Sequence, residues 1–154
     1  AKDIIAKAEI LGCKIHLPND VVTSKTLDDV NKIRSSDVNS CPPDEMIFDC
    51  GEKSVEKYLN VINLSKTIVW NGPLGVFEKE PFHLGTERLA KFIAKKTIDG
   101  FLNSVAGGGD TVAALNKYQL SHEMSYVSTA GGAFLEWLEG KKLPGLEVLE
   151  KKLN

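Results

Sequence analysis

Ser104-Val105-Ala106-Gly107-Gly108-Gly109-Asp110-Thr111 is the stretch whose reading decides the fold. An apolar β-type run, Phe101 to Val105, feeds into three glycines, an acid and a hydroxyl, and a helical pattern follows. Glycines at a strand-to-helix turn let backbone N–H groups converge without Cβ obstruction, and the helix start adds positive dipole. Such a turn suits a phosphate. Asp110 stands where a carboxylate can hold a magnesium ion, and Thr111 where a hydroxyl can contact a phosphate oxygen. Taken alone, the stretch also reads as a tight βα turn that Asp110 merely caps. It has neither the Lys-Ser or Lys-Thr pair of a P-loop nor the G-x-G-x-x-G spacing of a dinucleotide turn.

Outward from this turn the chain alternates strand and helix signals. Upstream, Ile4, Ile5, Ala8 and Leu11 fall at helical spacing before Gly12, and Lys14 to Pro18 reads as a short buried strand that Val21-Val22 extends. Residues 23 to 44 are polar and read as a long loop with an edge strand. Glu45 to Cys50 is a strand, and Val55, Tyr58, Leu59 and Ile62 mark a helix from Glu52 to Leu64. Lys66 to Trp70 is all β-formers and is stopped by Asn71-Gly72-Pro73. Helices are expected from Leu84 to Lys96 and from Asp110 to Tyr118. A last strand spans Met124 to Ser128, and a helix from Phe134 to Leu138 follows a Gly131-Gly132 turn. The tail is expected to pack through Leu146, Leu149 and Leu153. This order predicts an α/β fold, a parallel sheet with helices on both faces in a Rossmann-like three-layer arrangement. Glycine turns at Gly51, at Gly72 and Gly75, at Gly107 to Gly109 and at Gly131-Gly132 then converge at the carboxyl ends of the strands, where ligands of such sheets sit.

A chain of 154 residues, 42% hydrophobic and 26% charged, suits one domain with a real core. The net charge of −2 offers no basic field for nucleic acid or an anionic membrane. Cys13, Cys41 and Cys50, with scattered His16, His83 and His122, argue against zinc and a disulfide framework and fit a reducing, cytoplasmic setting. No apolar run approaches membrane-spanning length. Trp70 and Trp137 read as core residues and His16 as a buried structural histidine. Glu78, within Glu78-Lys79-Glu80, reads by itself as a solvated acid, and Asn71 as an Asx turn.

Three segments together carry a resemblance. Thr67 to Glu78 (TIVWNGPLGVFE), Gly107 to Ala114 (GGGDTVAA) and Ser128 to Ala133 (STAGGA), with Leu138 to Gly145 (LEGKKLPG) after them, resemble the C-terminal half of phosphoglycerate kinases. The resemblance extends over essentially all of residues 1–154. It implies a glycolytic enzyme that moves a phosphoryl group reversibly between 1,3-bisphosphoglycerate and ADP, giving 3-phosphoglycerate and ATP, with Mg2+. The family has two lobes, and this sequence is similar to the latter part of the C-terminal, nucleotide-binding one. The N-terminal lobe, with its phosphoglycerate site and catalytic arginine, has no counterpart here, so the chain is expected to be an incomplete kinase, inactive alone. The alternative reading is a nucleotide-binding or purely structural piece without catalysis. The family is usually monomeric, but missing strands would leave an open sheet edge, so self-association is expected.

By resemblance, Gly107, Gly108, Gly109, Asp110 and Thr111 form the phosphate turn, with Asp110 reaching magnesium-nucleotide. Asn71 lies near the nucleotide phosphates, Glu78 accepts from the ribose hydroxyls, and Pro73 and Val76 flank the nucleoside. Phe48 matches an apolar residue beside the adenine. Gly131 and Gly132 supply backbone donors to the transferring phosphoryl group. Two positions depart from the pattern: Ala130 replaces the first glycine of the usual three, and Gly51-Glu52 replaces Gly-Pro.

Overall fold

Helical periodicities and β-branched runs, punctuated by glycine, become six helices and six strands among the described residues, 1–128 and 130–152 of a computed structural model. α1 (Lys2–Ile10) ends in a Schellman pair, with the Cys13 N–H on Ala8 O and the Gly12 N–H on Glu9 O. β1 (Asp20–Ser24), β2 (Arg34–Asp37) and β3 (Met46–Cys50) follow, then α2 (Glu52–Leu64), β4 (Thr67–Asn71), α3 (Leu84–Ile98) and β5 (Asn103–Gly107). α4 (Gly109–Lys117), β6 (Tyr126–Val127), α5 (Gly132–Leu138) and α6 (Pro144–Lys152) complete the order.

The strands form two sheets. β4, β5 and β6 are parallel, in the order β4-β5-β6. Along β5 the side chains alternate: Ser104 meets Thr97 of α3, while Gly107 faces Phe134 of α5. Alternation puts these contacts on opposite faces, so helices cover both, as the α/β pattern predicted. On the α3 face, Val55 and Ile62 of α2 and Leu89, Ala90, Ile93 and Ala94 of α3 close over Trp70, Ala106 and Leu115.

β3 is not in that sheet. It pairs antiparallel with β1, which pairs antiparallel with β2. The glycine turn after β3 therefore belongs to the second sheet, and three glycine turns, not four, crown the parallel one. Gly51 serves a different purpose, since a Cβ there would lie 2.3 Å from the Asp20 carboxyl. That carboxylate occupies the start of α2, accepting from the N–H groups of Ser54 (2.8 Å) and Lys53 (3.2 Å). Ser54 Oγ, fully buried, also accepts from the N–H groups of Asn19 (2.8 Å) and Asp20 (3.0 Å). A residue more than thirty positions upstream thus caps α2.

Other expectations fail for identifiable reasons. Lys14 to Pro18 forms no strand; Ile15, His16 and Leu17 are exposed, and Pro18 has no N–H for a ladder. His16 is accordingly not a core histidine. Trp137 is 55% exposed, as α5 turns its first-turn Phe134 to the sheet instead. α6 forms, but Leu146 and Leu149 stay exposed, and Leu153 lies outside the described residues. Trp70 is buried as expected, its Nε1–H donating to Gly72 O at 2.7 Å. No helix among the described residues is long and apolar enough to cross a membrane.

Burial pulls the Asp20 carboxyl up, but the Ser54 hydroxyl, the Ser54 and Lys53 N–H groups and the Lys53 charge together hold it below the ordinary value. A depressed native value means stability present above the unfolded value of about 3.9 and lost as pH falls through the native one. Ser54→Ala should cost about 2–3 kcal/mol in urea denaturation at neutral pH. Asp20→Asn should flatten the acid limb of the stability profile below about pH 4.

Candidate functional site

Two parallel strands bring the site together through their register. β4 and β5 pair so that Asn71 stands opposite Gly107, and both strands end there. Asn71 begins one turn and Gly107 the other. The Gly72 N–H then donates to Thr111 Oγ1 at 2.7 Å, bonding the two turns across 39 residues. Above this bond passes Gly108 with φ +91°, where a Cβ would lie 3.0 Å from Asn71 Oδ1 and 3.7 Å from Thr111 Oγ1. Only glycine holds that backbone at no steric cost. Thr111 itself is fully buried, so its hydroxyl oxygen is the latch between the turns.

Gly109 and Asp110 are exposed at the first turn of α4, whose leading N–H groups have no intrahelical acceptor. These groups and the dipole attract an anion. The Asp110 carboxylate stands in the same turn and would repel a phosphate unless a cation came between them. Among the described residues no group of three or more His, Cys, Asp or Glu could hold a metal by itself. One carboxylate plus phosphate oxygens and water is the donor set magnesium ordinarily takes with nucleotides, so Asp110 fits that role.

The Gly131-Gly132 turn reaches this place through α5. A Cβ on Gly107 would lie 2.8 Å from Phe134 Cδ1, so the first turn of α5 rests on the end of β5. The N–H of Ala130 donates to Ser128 Oγ (3.3 Å), and the N–H of Ser128 to Ala106 O (2.8 Å).

Beyond Asn71 the chain runs through Pro73 and Val76, both half-buried, to Glu78, which is exposed. The N–H of Val76 donates to Phe48 O at 2.8 Å. The Phe48 ring is buried against Phe82, centroids 4.8 Å apart, so Phe48 touches this segment through its backbone. The site residues therefore form two groups: Asn71, Gly107 to Thr111 and the Gly131-Gly132 turn at the strand ends, and Pro73, Val76 and Glu78 along the segment leaving β4.

A third acid holds that segment and carried no sequence signal. Asp49 is buried, accepting from the Gly85 N–H and the Cys50 N–H, each at 2.8 Å. A Cβ on Gly75 would lie 2.5 Å from its Oδ1, and one on Gly85 2.6 Å. Burial pushes the Asp49 carboxyl up, against the two backbone bonds and His83, which pull it down. The Thr86 hydroxyl donates to Leu74 O, so the start of α3 fixes the middle of the segment. Glycines at 75 and 85 are the only trace such a packed carboxylate leaves in a sequence.

The two arginines of the chain, Arg34 and Arg88, pair with Glu45 and Glu52, and neither belongs to a glycine turn.

Thr111→Val should cost about 1–3 kcal/mol by leaving the Gly72 N–H without its acceptor. Gly108→Ala should cost about 1–3 kcal/mol through backbone strain alone. Urea denaturation of the two variants checks both values, and an unchanged midpoint for either would contradict the latch.

The chain matches the family described as phosphoglycerate kinase over residues 1–141. It is 56% identical over 149 residues to the phosphoglycerate kinase of Zymomonas mobilis, and 50% identical over 151 residues to that of a Chelativorans species. These alignments cover 97% and 98% of this chain but 38% of each relative, so the chain spans little more than a third of their length. Among solved structures, the Coxiella burnetii phosphoglycerate kinase superposes with a TM-score of 0.89 at 42% identity, covering 98% of this chain and 37% of that one. The Pyrococcus horikoshii phosphoglycerate kinase gives 0.72 at 32% identity, covering 97% and 38%.

Proposed function

This chain belongs to the phosphoglycerate kinase family, and from that premise we propose that it forms the magnesium-nucleotide half of an enzyme transferring a phosphoryl group reversibly between 1,3-bisphosphoglycerate and ADP. The observation that carries the reading is the union of two strand-end turns by the Gly72 N–H to Thr111 Oγ1 bond. It sets Asn71 beside the Gly107 and Gly108 backbone, with Asp110 in the helical turn that follows.

Phosphoryl transfer asks a protein mainly for positioning and charge stabilisation. Backbone N–H groups at the start of α4 hold the nucleotide phosphates, and the Asn71 amide steadies the same group. Asp110 orients the magnesium-nucleotide, the metal supplying charge neutralisation across the phosphate oxygens. Pro73 and Val76 flank the nucleoside, and Glu78 accepts hydrogen bonds from its ribose. The Gly131 and Gly132 N–H groups face the phosphoryl group in transfer. The phosphoglycerate site and the arginine that stabilises transferring charge are supplied from outside this chain, in the family's N-terminal lobe. Arg34 and Arg88 are engaged with Glu45 and Glu52, which supports that division.

Calorimetric titration with MgADP should give saturable binding that Asp110→Ala weakens at least about tenfold, the loss expected for one charge-assisted contact. A coupled assay with 3-phosphoglycerate and MgATP should give no turnover with this chain by itself. A family-like rate would overturn the half-site reading. No heat at millimolar nucleotide would favour a purely structural role.

A further inference from the structure

α4 touches the candidate site twice. Its first turn is the phosphate turn, latched to Gly72 by Thr111. Its last residue, Lys117, extends across forty positions of sequence to place Nζ 2.8 Å from Phe77 O and 3.4 Å from Glu78 O. Within this helix of nine residues, roughly 9 Å of rise separates Thr111 from Lys117.

What Lys117 leaves alone matters as much. Its ammonium bonds the carbonyl of Glu78, while among the described residues the Glu78 carboxylate enters no ion pair or hydrogen bond. A lysine beside an acid ordinarily takes the carboxylate. Here the acid is exposed and its oxygens stay free to accept, while its backbone is held by a charge-assisted bond. Among the described residues, carbonyls at 77 and 78 have donors aimed at them only from α4, whereas residues 74 and 76 are held from α3 and β3.

The geometry points to Lys117 as a positioning residue for the nucleoside end of the site, clamping the Phe77 and Glu78 carbonyls so that one helix sets both the phosphate turn and the ribose-facing carboxylate. This rests on the nucleotide reading above. The residue acts through Glu78 and touches no ligand itself. Tyr118, next in the chain, supports the same corner by donating its hydroxyl to His83 O at 3.4 Å. Its phenol is pushed up to about 12, chiefly by burial and then by Glu87, Asp49 and Glu80, so it remains a donor across the working pH range.

The test compares MgADP with Mg-2′,3′-dideoxy-ADP, titrated into the 154-residue protein and its Lys117→Met and Lys117→Arg variants, with thermal unfolding followed in parallel. The unsubstituted protein should prefer the hydroxylated ribose. Lys117→Met should weaken MgADP about tenfold and leave the dideoxy nucleotide unchanged, and Lys117→Arg should recover most of the loss. Adding Lys117→Met to Glu78→Gln should cost nothing further. Should Lys117→Met fail to fold, Lys117→Gln, which is uncharged and shorter but keeps an amide donor, carries the same comparison. Equal weakening of both nucleotides, additive losses with Glu78→Gln, or undiminished MgADP binding would overturn the role of Lys117 alone. An unsubstituted protein that binds both nucleotides equally would overturn the ribose role of Glu78, and one that binds neither would overturn the nucleotide reading; the Lys117 inference falls in either case.

Discussion

The parallel pairing of β4 with β5 is the constraint from which the site follows. Because Asn71 and Gly107 are register partners at the ends of their strands, both turns leave the sheet at the same level. Slipping the pairing by one residue would exchange the two faces of a strand. Ala106 would then face Phe134 with a Cβ where Gly107 has none, and the Gly72 N–H would no longer meet Thr111 Oγ1. Packing on one face and a single hydrogen bond at the strand ends therefore select the same register.

Carboxylates and glycines work in pairs throughout the fold. Asp20 occupies the space beside Gly51, and Asp49 the space beside Gly75 and Gly85. Each acid is buried and accepts from backbone N–H at the beginning of a helix, Asp20 from Lys53 and Ser54 of α2 and Asp49 from Gly85 of α3, with Cys50 of β3 as its second donor. The pairing explains opposite titration behaviour in similar settings. Asp20 gains a hydroxyl partner in Ser54 and is held low; Asp49 has only two backbone donors, and burial pushes it up. A carboxylate held low stabilises the native state at neutral pH, whereas one pushed up contributes most below its unfolded value and loses that contribution as pH rises through the native one.

The segment from Gly72 to His83 lacks helix and strand, yet it is held at many points. Hydrogen bonds reach it from three elements: β3 through the Phe48 carbonyl, α3 through Thr86, and α4 through Thr111 and Lys117. A segment built this way presents exposed side chains on a backbone held by neighbouring elements. Glu78 is the clearest instance, its carbonyl engaged and its carboxylate free.

Much of this was legible in the sequence. β4 is a run of β-formers ended by Asn-Gly-Pro, β5 runs into three glycines, and α2, α3 and α4 show strong helical spacing, so each formed within a few residues of expectation. The glycine turns and the acid after them marked the candidate site, and the order of motifs announced the family. What sequence could not decide was partnership across distance. Lys14 to Pro18 is apolar enough for a strand but has no neighbour to pair with, and β3 has a strand composition that says nothing about which sheet takes it. Trp137 and Phe48 are equally apolar as letters, but one is exposed on α5 and the other lies under Phe82. Periodicity, propensity and turn chemistry are properties of neighbouring residues and determined the elements and the glycine turn after β5. The caps from Asp20 and Asp49, the Thr111 latch and the Lys117 clamp join residues more than thirty positions apart. Only the folded chain brings such groups within hydrogen-bond range, so the tertiary structure alone decided how the turns become one site.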